Sequence, residues 1–247
     1  MNKIPIICFH GSPGVPEEFD KLNKLLPNYQ FIKFIREGYP KNEYIFKTDN
    51  FSENTTLNRE AIVVGYSWGN VPALQFTVKN LAFIKGLVII SPYLFPNRSS
   101  SNPFRKLLAL PLIGTFFFRI LRKKIIEKMM MNTSYPQIAP SDYKRLVNKL
   151  SRSKVLQMSI KEKAEDIKIK EILKRIGDSQ IPIALIWGDS DLTGRESEQI
   201  TPIKNIIKPF LEVRLENAGH ALIFTRAEDL AEYLEKFIKK IEKGENK

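Results

Sequence analysis

At 247 residues and 43% apolar side chains, the chain can bury one substantial core with room for an inserted subdomain, and it is too apolar for a disordered polypeptide. Its 39 Lys/Arg against 27 Asp/Glu give a net charge of +12. The single cysteine, Cys8, excludes an internal disulfide, and two separated histidines argue against a zinc centre.

In chain order, residues 4–10 form an apolar run that reads as a first strand, ended by the turn His10-Gly11-Ser12-Pro13-Gly14. The run is short and punctuated by Pro5, so no secretory leader is predicted and a cytoplasmic protein is expected. Phe19, Leu22, Leu25 and Leu26 then recur at helical spacing, with Glu17 and Glu18 in an acidic first turn that suits the helix dipole. Residues 31–35 predict a second strand. The stretch 41–59 is polar and offers no good helix.

Residues 61–66 are apolar and β-branched, a third buried strand, and a helix follows to about Leu81. Further strands are predicted at 86–91, 181–187 and 211–215. The last helix carries a buried stripe of Leu230, Leu234, Phe237, Ile238 and Ile241. Thr225 and Glu228 predict its capping box, with Lys239, Lys240 and Lys243 at its negative end and Gly244 as its stop. Strands apolar throughout and alternating with helices imply a parallel sheet covered on both faces, a doubly wound α/β domain of about six strands.

The segment between the fourth and fifth strands differs in kind. Helical patterns dominate it, cut by Pro103, Pro111, Pro136 and Pro140. Residues 94–180 hold 19 Lys/Arg against 7 Asp/Glu, which leaves 20 of each sign elsewhere, so the whole charge excess sits here. The organisation expected is a core of residues 1–92 and 181–247 with a helical cap at 93–180.

The chemistry gathers around Gly65-Tyr66-Ser67-Trp68-Gly69. A Gly-x-Ser-x-Gly turn between strand and helix holds its serine in a strained conformation with the hydroxyl exposed. The N–H of the next residue, Trp68, can then bind an oxyanion. The bland reading of Ser67 is a helix cap, and of Tyr66 and Trp68, packing. A serine hydroxyl needs a base, and the base an orienting acid. With only His10 and His220 to choose from, Ala218-Gly219-His220 offers a base after the last strand, and Gly188-Asp189-Ser190-Asp191 offers the acid. All lie beyond the C-terminal ends of predicted parallel strands, where open α/β sheets place functional groups.

His10-Gly11-Ser12-Pro13-Gly14, the elbow at Ser67, Trp187-Gly188-Asp189-Ser190-Asp191 and Ala218-Gly219-His220 together resemble the α/β-hydrolase-fold superfamily, serine esterases and lipases with a helical cap. The resemblance implies Ser67 as nucleophile, His220 as base and then acid, and Asp191 as the orienting acid, with Asp189 the fallback. It also implies an oxyanion hole from the backbone N–H groups of Ser12 and Trp68. His10 would shape that loop, or serve only as a satisfied strand-end histidine. No cofactor or metal is expected, nor nucleic acid, since neither a phosphate loop nor a nucleic-acid motif is present.

The function expected is hydrolysis of a carboxylic ester with an apolar part, the substrate being a small ester or acyl compound. The same triad would serve thioester, amide or carbon–carbon hydrolysis, and the same fold hosts ligand-binding or sensor proteins that turn nothing over. In the cap, residues 107–118 are nearly all apolar and flanked by basic residues, too short to span a bilayer. They read as a cap helix over the site, as a peripheral contact with an anionic membrane surface, or as a docking face for an acidic acyl-carrier-type protein.

Overall fold

The computed structural model of the chain describes residues 4–34, 56–95 and 167–245, and within the intervening segment 116, 120–121, 123–128, 130, 133–135, 148 and 159–160. Its frame is a six-stranded sheet: β1 (Ile6–Phe9), β2 (Phe31–Phe34), β3 (Ala61–Tyr66), β4 (Ile84–Ile90), β5 (Ile183–Gly188) and β6 (Leu211–Leu215). The strands lie in the order β2-β1-β3-β4-β5-β6, and each neighbouring pair is parallel. All C-terminal strand ends therefore share one edge.

Successive side chains of a strand face opposite ways, and both faces of the central strands β1, β3, β4 and β5 are buried almost throughout, while the edge strand β6 exposes Glu212 and Arg214. Ile7, Phe9, Val63, Leu87, Ile89 and Leu185 share one cluster with α2 (Asn70–Lys79), α3 (Ile169–Asp178) and α4 (Thr201–Lys204). Ile6, Cys8, Ile62, Val64, Val88, Ile90 and Ile186 share the other with α1 (Asp20–Leu25), α5 (Leu222–Thr225) and α6 (Ala227–Glu242). The expected doubly wound α/β architecture is the one found. α3 falls inside the segment read as an insertion, yet its buried Ile169, Leu173 and Ile176 pack in the core cluster of α2.

Two local expectations are corrected. Leu25 is exposed at the end of α1 and takes no part in a buried stripe. The last helix has no Thr225–Glu228 capping box: Thr225 ends α5, and its hydroxyl donates back to the Ala221 carbonyl at 3.2 Å. The chain breaks at Arg226 (φ −135°), so α6 begins at Ala227. Glu228 instead pairs with Lys21 of α1 at 3.0 Å, and that cation holds its carboxyl below the usual range. The far end is as expected, with Lys239 and Lys240 in the last turn and Gly244 at φ 74°.

Of the segment after β4, the described positions 116, 120–121, 123–128, 130, 133, 148 and 159–160 are helical. The predicted run 107–118 lies outside the described residues except at Phe116, and of the polar stretch 41–59 only residues 56–59 lie inside them. Among the described residues no helix is long and apolar enough to cross a membrane.

Candidate active site

Ser67 follows β3 directly and opens a 3-10 turn that runs into α2. Its φ is 55°, a left-handed conformation that costs a non-glycine residue about 1–2 kcal/mol. The neighbours over-determine it. Asn70 donates from one amide nitrogen to Ser67 O at 2.8 Å and to Ile90 O at 3.0 Å, tying the elbow to the end of β4. A Cβ on Gly69 would overlap the carbonyl oxygens of Phe9 and His10, so only glycine lets the elbow close onto β1.

His220 and Asp191 come from loops that hold each other. Asp191 lies three residues beyond the end of β5, and His220 five beyond the end of β6. Ser190 N–H donates to Ala218 O at 3.0 Å, and Ala218 N–H to the Asp189 carboxylate at 3.3 Å. Within this frame His220 Nδ1 lies 2.6 Å from Asp191 Oδ2, and His220 Nε2 lies 2.8 Å from Ser67 Oγ. The other oxygen of Asp191 accepts N–H bonds from Thr193 at 2.8 Å and Gly194 at 2.6 Å. An ionised carboxylate can only accept, so Nδ1 carries the proton and Nε2 is left to accept from the Ser67 hydroxyl. Asp191 and His220 are both buried, which keeps water from competing for these bonds.

It is Asp191, not Asp189, whose carboxylate meets the imidazole. Asp189 is bonded by the Ser190 hydroxyl at 2.9 Å, and that bond, with others from backbone N–H groups, holds its carboxyl below the ordinary value. Its work is to brace the histidine loop.

The turn after β1 lies against the elbow. A Cβ placed on Gly11 would stand 3.4 Å from Ser67 Cβ and 3.4 Å from the Tyr66 ring. Ser12 and Trp68, the two predicted backbone donors, thus belong to adjoining segments. Trp68 is buried in the first turn of a helix, where amides lack intrahelical acceptors. His10 is fully buried, with Nδ1 3.0 Å from Gly11 O, so it does bond within the loop.

From the sequence Glu18 is expected to suit the helix dipole from an acidic first turn. It is 3% exposed, and its two oxygens accept Gly11 N–H at 3.0 Å and Val15 N–H at 3.3 Å, which fixes the curve of that loop. Tyr66 lies nearby, its ring centroid 5.9 Å from that of His220. Burial pushes its phenol well above the usual value, and the Glu18 and Asp191 carboxylates add to this.

Two further residue groups escaped the sequence. Gln199, buried, accepts from Leu94 N–H at 2.7 Å and Phe95 N–H at 3.0 Å and donates to Phe95 O at 2.8 Å, pinning the start of the inserted segment. Farther along that segment, Tyr135 O accepts from Gly219 N–H at 2.7 Å and Thr133 O from Ala221 N–H at 3.0 Å. The inserted segment therefore grips the backbone on both sides of His220. Among the described residues no group of three His, Cys, Asp or Glu is placed to hold a metal ion.

The family model of the alpha/beta hydrolase fold matches residues 4–227. A thermophilic esterase from Thermogutta terrifontis superposes with a TM-score of 0.76 at 15% identity, over 96% of this chain and 90% of that one. An esterase from Exiguobacterium antarcticum gives 0.74 at 15% identity, over 96% and 92%. A bromoperoxidase from Bacillus anthracis gives 0.73 at 15% identity, again over 96% and 92%. No curated protein matches the chain. At such identities the likeness is one of fold, and the differing names of these neighbours fit that.

Proposed function

This chain belongs to the α/β-hydrolase fold family, and from that premise we propose that it is a cofactor-independent serine hydrolase acting on carboxylic esters with an apolar part. The observation that carries the proposal is the unbroken bond chain Ser67 Oγ–His220 Nε2 at 2.8 Å and His220 Nδ1–Asp191 Oδ2 at 2.6 Å. Ser67 attacks the ester carbonyl while His220 takes its proton, and the buried Asp191 carboxylate stabilises the imidazolium. The Ser12 and Trp68 N–H groups receive the developing oxyanion. His220 then protonates the departing alcohol and leaves an acyl-enzyme on Ser67. A water molecule, deprotonated by the same imidazole, attacks the acyl carbon and releases the acid.

The apolar preference is supported by the residues next in sequence to the candidate nucleophile and acid: Trp68, after Ser67, lies 6.4 Å, centroid to centroid, from Tyr93, and Leu192, after Asp191, is exposed. The test is labelling by a fluorophosphonate probe, followed by a panel of nitrophenyl esters of rising chain length. Wild type is expected to label and turn over, and Ser67→Ala to do neither. Equal labelling of the two proteins overturns the assignment of Ser67. Labelling without turnover at any chain length overturns the esterase reading in favour of a binding protein.

A further inference from the structure

Residues 90–95 carry the chain out of β4 at the edge where the candidate triad stands, and three parts of the site lean on them. Ile90 O accepts from Asn70 Nδ2 at 3.0 Å, and the same nitrogen bonds Ser67 O at 2.8 Å. The Tyr93 ring lies 6.4 Å, centroid to centroid, from that of Trp68. A Cβ on Gly194 would stand 2.7 Å from Pro92 O and 2.9 Å from Asp191 Oδ2, so the acid loop packs its bare backbone directly against this stretch. Gly194 is also the residue whose N–H bonds Asp191 Oδ1 at 2.6 Å.

The stretch is not at rest by itself. Ser91 has φ 41°, in the left-handed region that disfavours a serine. Its buried hydroxyl has no hydrogen-bond partner among the described residues, so no side-chain bond there offsets the strain. Three bonds of Gln199 hold the chain just beyond it. The side-chain oxygen accepts Leu94 N–H at 2.7 Å and Phe95 N–H at 3.0 Å, and the nitrogen donates to Phe95 O at 2.8 Å. A primary amide supplies both functions from one planar group. Gln199 is 1% exposed and sits in a single π-helical turn, Glu196–Ile200, a rare form. Glu196, which opens the turn, accepts from the Trp187 indole N–H at 3.3 Å. The chain carrying Asp191 is thereby tied back to β5 on one side and to residues 94 and 95 on the other.

We propose that Gln199 is a positioning residue of this hydrolase. Its amide keeps residues 90–95 seated against the strain at Ser91, with Tyr93 beside Trp68 and Pro92 against Gly194. The inference rests on the serine-hydrolase reading of the site. Without the amide, Ser91 relaxes toward an ordinary conformation, and Pro92 and Tyr93 move with it. Gly194 N–H then slips from Asp191 Oδ1, the carboxylate turns more freely, and the imidazole loses its fixed line to Ser67. Trp68, whose N–H is to meet the oxyanion, loses the ring packed beside it. The loss falls on the transition state, where angles matter, and not on ground-state binding.

The test compares wild type with two variants. Gln199→Met keeps the length and removes all three bonds, while Gln199→Glu keeps the acceptors and sets an oxygen against Phe95 O. Asn80→Leu is the control for a purely structural amide: Asn80 is buried too, and it bonds Leu57 N–H at 2.8 Å and Phe76 O at 3.0 Å at the far end of α2 from Ser67. The readouts are kcat and KM for nitrophenyl acetate, fluorophosphonate labelling of Ser67, and thermal unfolding. Both Gln199 variants should lose about tenfold to a hundredfold in kcat and in labelling rate, with KM within about twofold of wild type. Asn80→Leu should melt lower yet keep the wild-type kcat. Adding Ser91→Gly to Gln199→Glu should restore at least about threefold of the loss, because glycine holds a left-handed φ without strain. A wild-type kcat in either Gln199 variant, a loss confined to KM, or an equal fall in Asn80→Leu overturns the proposal. So does an absence of recovery with Ser91→Gly, or failure of both Gln199 variants to fold. A wild type that neither labels nor turns over overturns the serine-hydrolase reading itself, and this inference with it.

Discussion

Asp191→Asn isolates the orienting role of the carboxylate without emptying its site. Oδ1 of Asp191 serves two backbone N–H donors, Thr193 at 2.8 Å and Gly194 at 2.6 Å. Those donors demand an oxygen, so the amide oxygen of the variant must stay there and its NH2 must turn to His220. An N–H facing Nδ1 drives the imidazole proton to Nε2, the atom now 2.8 Å from Ser67 Oγ. The base then has no lone pair for the serine proton. In another Ser-His-Asp triad, the tautomer error alone lowers turnover by about 10⁴-fold, on the order of 5 kcal/mol of transition-state stabilisation. The same size of loss is expected here in the rate of fluorophosphonate labelling and in kcat/KM for nitrophenyl acetate. Thermal unfolding should change little, because every bond except one has a replacement. Asp189→Asn, whose carboxylate meets Ser190 and the backbone N–H groups of Asn217 and Ala218 but not the imidazole, should leave the rate near wild type. The reasoning fails if Asp191→Asn keeps activity within about tenfold of wild type, or if Asp189→Asn falls as far.

Glu18→Gln puts an NH2 against one of the N–H groups that now share the carboxylate. The loop should loosen and kcat fall about tenfold to a hundredfold with KM little changed, measured by ester turnover; an unchanged kcat counts against its positioning role. Gly69→Ala forces a Cβ into the Phe9 and His10 carbonyls and should cost about 2 kcal/mol or more in urea unfolding. Asp189 has a lowered folded-state value, so its bonds stabilise the fold above the ordinary carboxylate range and are lost as pH drops through the folded value. The melting-temperature deficit of Asp189→Asn should therefore be present at neutral pH and close below about pH 4. Cys8 is buried and its thiol is pushed up by burial, so Ellman's reagent should react only at the rate of unfolding. Fast labelling of the native protein would show β1 to be open.

The central strands were readable because they are buried on both sides, and for the same reason their faces were not. Ile6 and Cys8 enter one cluster and Ile7 and Phe9 the other, but all four are apolar, so no alternation betrays the division. β3 and β6 matched their predicted bounds. The capping box failed for a local reason. Thr225 and Glu228 have the right spacing, but the pattern cannot tell the start of one helix from the end of another. Arg226, at φ −135° and ψ 37°, leaves the helical region, so one helix ends there and the next begins.

Legibility of the candidate site divides along a chemical line. Ser67 and His220 could be found because the serine stands in a Gly-x-Ser-x-Gly turn between strand and helix and the chain offers only two histidines as a base. The choice of Asp191 over Asp189 needed a family resemblance, since both carboxylates stand in one loop and only register decides which meets the imidazole. Glu18, Gln199 and the Thr133–Tyr135 contacts were invisible because their partners are backbone N–H and C=O groups, which every residue carries. A positioning bond to the main chain leaves no trace in residue type except where a Cβ would intrude. Gly219 is such a place: a methyl there would press on Thr133 O at 2.9 Å and Tyr135 N at 3.1 Å. The inserted segment and the histidine loop are therefore held at a spacing that one glycine sets. Whatever moves the first must be felt by the imidazole.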